Sequence, residues 1–82
     1  MRPSLFAEKL QLVLKSLSIS RAGLAGSLNV DKSLVGRWAS GAVIPSEHNL
    51  SLLTRFIAER IEGFTMLDWE RDLPAFTARL GL

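Results

Sequence analysis

Apolar residues recur at intervals of three and four along most of the chain, which is the pattern of amphipathic helices. In the first part of the chain these positions are Phe6, Leu10, Val13, Leu14 and Leu17. No segment alternates apolar and polar residues cleanly between turn signals, so the sequence predicts no strand. We therefore expect an all-α protein.

Capping residues divide this pattern into five or six short helices. Ser20, Asp31 and Ser46 each precede an apolar-periodic run, and such side chains accept hydrogen bonds from the unpaired amides of a first helical turn. Asn29 tolerates the left-handed conformation that ends a helix, and Gly41 ends the next one. The predicted helices span about residues 4–17, 21–28, 32–39, 46–61 and 65–71, and a last short helix begins at Pro74.

The spacing also predicts which side chains are buried. Trp38 lies three and four residues after the apolar residues Val35 and Leu34, which places it in the core rather than on a nucleic-acid base. Trp69 can belong either to the core or to a dimer contact, and the pattern does not distinguish the two. The other expected core residues of the middle helices are Leu24, Ala25, Leu28, Leu50, Leu53, Phe56, Ile57 and Ile61.

The composition narrows the classes of function. A chain of 82 residues has room for one domain, and the lack of cysteine excludes disulfides and thiolate metal sites. There is one histidine, and no stretch approaches the roughly 20 apolar residues that cross a bilayer. We therefore expect a soluble cytoplasmic protein without metal or cofactor and without a membrane segment.

Candidate catalytic groups are few. Five carboxylates cluster late in the chain without a nucleophile or histidine beside them, so they are interpreted as solvated surface and not as an active site. They are Glu59, Glu62, Asp68, Glu70 and Asp72. Lys9 and Lys15 are likewise assigned to a solvated helix face. No phosphate-binding glycine loop is present. The sequence does not predict an enzyme.

Charge is distributed unevenly along the chain. Residues 1–45 carry six basic and two acidic side chains, a net charge of +4, whereas residues 46–82 carry four basic and six acidic ones, a net charge of −2. A basic half of this kind favours contact with a polyanion.

Residues 21–40 meet the requirements of two short helices joined by a tight turn. Ala25 is small where the second helix approaches, Asn29 accepts the positive φ of the turn, and Val30 is an apolar plug. The segment continues with Ser33-Leu34-Val35-Gly36-Arg37-Trp38, then Gly41, Pro45 and the run Asn49-Leu50-Ser51-Leu52-Leu53. Together these residues resemble the helix-turn-helix of the lambda-repressor-like (Cro/cI-type) family. The resemblance covers about residues 5–62, with Asn29 in place of the usual turn glycine. It implies a compact domain of five or six helices, with residues 64–82 as a helical extension.

The resemblance also implies roles for particular residues. The helix over residues 32–39 is expected to lie in the major groove of double-stranded DNA, with Lys32, Ser33 and Arg37 as base contacts. Arg37 can reach a guanine or a phosphate, and the sequence leaves both open. The residues expected to contact the DNA backbone are Ser20, Arg21, Gly36 and Ser46.

These roles describe a sequence-specific transcriptional regulator that is associated with the nucleoid and acts as a homodimer. A repressor is the expected type, and the sequence leaves activation open. The apolar residues of the last helices are expected to form the dimer interface: Trp69, Phe76, Leu80 and Leu82. The alternative hypothesis is a protein–protein interaction module on the same scaffold, whose acidic half docks a partner. Retention on DNA with a steep salt dependence distinguishes the two.

Overall fold

Five α-helices and one 3-10 helix follow one another within residues 3–82. The computed structural model describes residues 3–82, with side chains from residue 5 onward. The helices are α1 (Pro3–Leu17), α2 (Arg21–Leu28), α3 (Lys32–Ser40), α4 (Glu47–Ala58), the 3-10 helix (Met66–Glu70) and α5 (Leu73–Arg79). No strand occurs within these residues, which confirms the all-α expectation. None of the described helices is long and apolar enough to span a membrane.

Helices α2, α3 and α4 begin at the capping side chains that the sequence predicted. The Oγ of Ser20 accepts from the Gly23 amide at 2.9 Å, and Asp31 Oδ1 accepts from the Ser33 amide at 3.0 Å. Ser46 Oγ accepts from the Asn49 amide at 3.2 Å. Each bond satisfies an amide that has no partner inside its own helix.

The C-terminal elements differ in detail from the prediction. Helix α4 ends at Ala58, three residues before the predicted end at about Ile61, where the Arg60 amide donates to the Ile57 carbonyl at 2.9 Å and closes a turn. The segment predicted as a helix over residues 65–71 is the short 3-10 helix. Such tight turns are common where an α-helix has too few residues to propagate.

One apolar core joins every element. Its buried members come from α1, α2, α3, α4 and the C-terminal segment: Phe6, Leu10, Val13, Leu24, Ala25, Leu28, Val35, Trp38, Ala39, Leu53, Phe56, Ile57, Phe64, Trp69, Phe76 and Leu80. Of the residues expected on the apolar helix faces, five are only partly buried: Leu14, Leu17, Leu34, Leu50 and Ile61. The placement of Trp38 in the core is confirmed, because only 1% of it is exposed.

The C-terminal segment packs inward, which corrects the expected dimer surface. Trp69, Phe76 and Leu80 are 2%, 0% and 7% exposed, so the subunit itself covers them, and only Leu82, at 52%, is exposed. The Trp69 ring lies 5.1 Å from the Phe6 ring and is stacked on the Phe76 ring at 5.4 Å. Trp69, Phe76 and Leu80 therefore complete the core, and the large apolar side chains of residues 64–82 that stay exposed are Met66, Leu67 and Leu82.

Lys9 is buried, which corrects its assignment to a solvated face. Its side chain has no exposed surface. Its Nζ donates to the carbonyl oxygen of Trp69 and lies 5.6 Å from the centre of the Phe76 ring. Burial lowers the pKa of Lys9 from its ordinary value of 10.5, although the carboxylates of Asp72 and Glu70 oppose that shift. Lys15 is exposed, as expected.

Asp68 is also buried, unlike the solvated carboxylate that the sequence suggested. Its Oδ2 accepts from the Thr65 amide at 2.8 Å, and its Oδ1 lies 2.7 Å from Arg71 Nε and 3.5 Å from Arg79 Nε. Burial raises the pKa of this carboxyl, but the hydrogen bonds from Arg71 and Thr65 and the charge of Arg79 outweigh it and hold the pKa below 3.8.

The lowered pKa of Lys9 predicts a rise in stability at alkaline pH. Between the folded pKa and 10.5 the unfolded chain holds a proton that the folded chain has released, so the free energy of unfolding increases with pH across that interval. The increase is about 1.4 kcal/mol for each pH unit that the interval spans. Urea unfolding at a series of pH values up to 10.5 should show the rise in the parent chain and not in Lys9→Met. The prediction would be contradicted if the free energy of unfolding of Lys9→Met rose with pH as it does in the parent chain.

The charge of Asp68 predicts acid sensitivity. Near neutral pH we expect Asp68→Asn to lower the free energy of unfolding by about 1–3 kcal/mol, because the neutral side chain no longer pairs with two arginines. Its amide oxygen can still accept the hydrogen bond from the Thr65 amide. The folded pKa lies below 3.8, so this contribution is complete above that pH and is lost as the pH falls through the folded value. Denaturant midpoints measured at neutral and acid pH should therefore converge for parent and variant. A gap that stays constant on acidification would show that the carboxylate charge is not responsible.

Candidate nucleic-acid interface

A three-residue turn, residues 29–31, connects α2 to α3. Asn29 has φ 56° and ψ 45°, the left-handed conformation expected for it. The Asn29 amide donates to the Gly26 carbonyl at 3.3 Å, and the Val30 amide donates to the Ala25 carbonyl at 3.0 Å. These bonds satisfy the last carbonyls of α2 and reverse the chain directly into α3.

Helix α3 has one buried and one exposed face. Val35, Trp38 and Ala39 are buried against the rest of the protein, and Leu34 is partly buried. Lys32, Ser33 and Arg37 are all exposed. The apolar stripe thus decides which three polar side chains the helix presents to solvent.

Asp31 organises the start of α3 electrostatically. The Ser33 amide donates to its carboxylate at 3.0 Å. That bond, the neighbouring Ser33 side chain and the charge of Arg37 lower the pKa of Asp31 below 3.8 despite the opposing effect of desolvation. The sequence predicted this cap, and the structure confirms it.

The end of α3 is held from α1. Gln11 Nε2 donates to the Ala39 carbonyl at 2.7 Å, and Gly41, with φ 84°, closes the helix in the left-handed conformation. The bond from Gln11 ties the C-terminal turn of α3 to another element. Sequence reasoning missed this positioning residue, because a single exposed glutamine on α1 carries no local signal of its partner.

The expected backbone-contacting residues lie at separate points around α3. Ser20 and Arg21 are exposed at the start of α2, Ser46 is exposed before α4, and Gly36 is half-buried in the middle of α3. A Cβ added at Gly36 would meet no atom within 4 Å. No packing requirement inside the subunit therefore explains a glycine here, where it costs helix stability relative to alanine.

The cations on and beside α3 form no ion pairs within the described residues. Within residues 3–82 the arginines in ion pairs are Arg60, Arg71 and Arg79. Arg21, Lys32 and Arg37 form no ion pair with any residue of that range, and neither do Lys15 in α1 and Arg55 in α4. Exposed cations that are not neutralised within the subunit remain available to an external anion.

Comparison of the chain with protein-family models, with curated proteins and with solved structures gives no match.

Proposed function

We propose that this protein binds double-stranded DNA sequence-specifically through α3, as a homodimeric transcriptional regulator of the lambda-repressor-like helix-turn-helix type. A repressor is favoured over an activator, and its place is the cytoplasm, on the nucleoid. One observation carries the proposal: α3 buries Val35, Trp38 and Ala39 and exposes Lys32, Ser33 and Arg37 beside a tight α2–α3 turn. Such a helix can enter a major groove without unpacking from its core.

The exposed side chains of α3 offer complementary base chemistry. Lys32 and Arg37 are donors, which suits the O6 and N7 acceptors of guanine. The Ser33 hydroxyl can donate or accept, so it is a less selective partner. We therefore expect the preferred site to contain guanine where Lys32 or Arg37 meets the bases.

Phosphate contacts are assigned to the surrounding helix ends. Ser20 and Ser46 each accept a bond from the backbone, which uses a lone pair and not the hydroxyl proton, so each hydroxyl can donate to a phosphate oxygen. Arg21 adds a full charge at the start of α2. These contacts set the register of the reading helix on the duplex and carry no base preference themselves.

Alanine substitutions on α3 test the proposal. A preferred sequence is first selected from a random DNA pool. We expect Lys32→Ala to weaken binding to it by about 1–3 kcal/mol and to relax the preference at one position, as measured by fluorescence anisotropy at several salt concentrations. Arg55→Ala, which removes an exposed arginine from α4, is the matched control and should change affinity little.

The same titration separates the two roles open to Arg37. If Arg37 reads a guanine, Arg37→Ala relaxes the preference at one position; if it contacts a phosphate, the variant weakens all sequences alike and lowers the salt slope by about one. Equal affinity for every sequence, unchanged by Lys32→Ala and Arg37→Ala, would contradict sequence-specific reading. No retention on DNA at low salt would favour the interaction-module hypothesis.

A glycine pair provides a second test. Gly36 in α3 and Gly26 in α2 are both helical, and an added Cβ meets nothing within 4 Å at either position. Alanine should therefore raise the free energy of unfolding by roughly 0.5–1 kcal/mol in each case. If DNA backbone approaches α3 closely at Gly36, only Gly36→Ala will also weaken DNA binding. Retention of full affinity by the stabilised Gly36→Ala variant would remove Gly36 from the interface.

A further inference from the structure

Helix α1 carries a polar stripe on the side opposite its buried residues. Glu8, Gln11, Leu12 and Lys15 follow one another at steps of three, one and three residues, so they share one helical face. Glu8, Gln11 and Lys15 are exposed, and Leu12 is half-buried. We call these four residues the α1 stripe.

Hollows border the α1 stripe on two sides. On one side Leu73 and Thr77 of α5 join the four stripe residues around a groove of about 490 Å³. On the other side Glu8 and Gln11 share a hollow of about 350 Å³ with Ala7 and residues 39–41, at the end of α3. The stripe is therefore a ridge with room on both flanks for the side chains of another helix.

The α1 stripe is complementary in charge to itself. Glu8 and Lys15 lie seven residues apart, two helical turns or about 10 Å, and are symmetric about the midpoint between Gln11 and Leu12. A two-fold axis through that midpoint places a second α1 antiparallel to the first. Glu8 of each copy then faces Lys15 of the other, and Leu12 lies beside the axis.

We propose that the α1 stripe is the surface through which two copies of this chain form a two-fold dimer. In such a contact residue i meets residue j and j meets i, so one exposed acid and one exposed base on the same stripe supply both ion pairs. The inference names the dimer surface of the proposed function and depends on that function only in expecting a dimer. It replaces the surface assigned to Trp69, Phe76 and Leu80, which the subunit buries.

The exposed apolar surface around Leu67 is less suited to a two-fold contact. Leu67 on the 3-10 helix is 73% exposed. Residues three apart eclipse one another in a 3-10 helix, so Glu70 shares the side of Leu67. A second copy docked on Leu67 brings the two Glu70 carboxylates toward each other.

Charge exchange on the full chain, measured by sedimentation equilibrium without DNA, tests the α1 stripe. Glu8→Lys and Lys15→Glu each turn both ion pairs into like-charge contacts, so each should raise the dimer dissociation constant at least about tenfold. The double variant exchanges both charges and restores opposite pairing, so its constant should return to within about threefold of the parent. Glu47→Lys, an exposed glutamate on α4, is the control and should leave the constant unchanged.

The outcomes are distinct. Loss of the dimer in both single variants with recovery in the double variant supports the α1 stripe, because altered folding of a single variant is not repaired by a second charge change. The proposal is overturned if the single exchanges leave the dimer dissociation constant unchanged, or if the double variant does not recover. It is also overturned if Leu67→Asp dissociates the dimer and the charge exchanges do not. A monomeric chain that binds its selected DNA overturns the dimer surface and leaves DNA binding intact. A chain that dimerises through the α1 stripe but binds no DNA supports the dimer surface and overturns the proposed DNA binding.

Discussion

Burial of the inner edge of α3 is the constraint on which the rest of the molecule depends. Val35, Trp38 and Ala39 are at most 1% exposed, and burial of each large apolar side chain contributes about 1.5–3 kcal/mol. That free energy fixes the rotation of a nine-residue helix about its axis. Because a helix of this length is marginal alone, its packing and not its propensity determines which side chains face outward. The exposure of Lys32, Ser33 and Arg37 is a consequence.

The C-terminal segment supports this arrangement through polar contacts inside an apolar setting. Thr54 Oγ1 accepts from Trp69 Nε1 at 2.8 Å and donates to the Leu50 carbonyl at 2.7 Å, so the indole is anchored to α4. Lys9 connects the same tryptophan to α1, and Asp68 connects the 3-10 helix to Arg71 and Arg79. Among the described residues, no buried side-chain nitrogen or oxygen lacks a hydrogen-bond partner. A small core is thereby extended to include residues 64–82 without a cost from unpaired polar groups.

The proposed functions assign separate surfaces to separate tasks. The exposed face of α3, with the starts of α2 and α4, presents cations and hydroxyls that are not neutralised by ion pairs within the described chain. The α1 stripe instead combines an acid and a base, which favours a second copy over a polyanion. Gln11 belongs to the stripe and also holds the end of α3 through the Ala39 carbonyl. The proposed contact between subunits and the orientation of the proposed reading helix would therefore both involve Gln11.

The sequence by itself determined the features that depend on near neighbours. Helix class, the caps at Ser20, Asp31 and Ser46, and the left-handed Asn29 each follow from a few adjacent residues, because capping and helical periodicity are local effects. The separation of the buried Trp38 from the exposed Lys32, Ser33 and Arg37 follows from the same periodicity. Most of the candidate site could therefore be predicted.

Only the tertiary structure decided the positions that depend on distant partners. Lys9 is buried because Trp69, sixty residues further on, presents a carbonyl to it, and Gln11 holds α3 across twenty-eight residues. Asp68 is charged and buried because two arginines converge on it. Trp69, Phe76 and Leu80 have the apolar character of either a core or an interface. Which of the two they form depends on the fold of the segment that carries them, since hydrophobicity is the same in both settings.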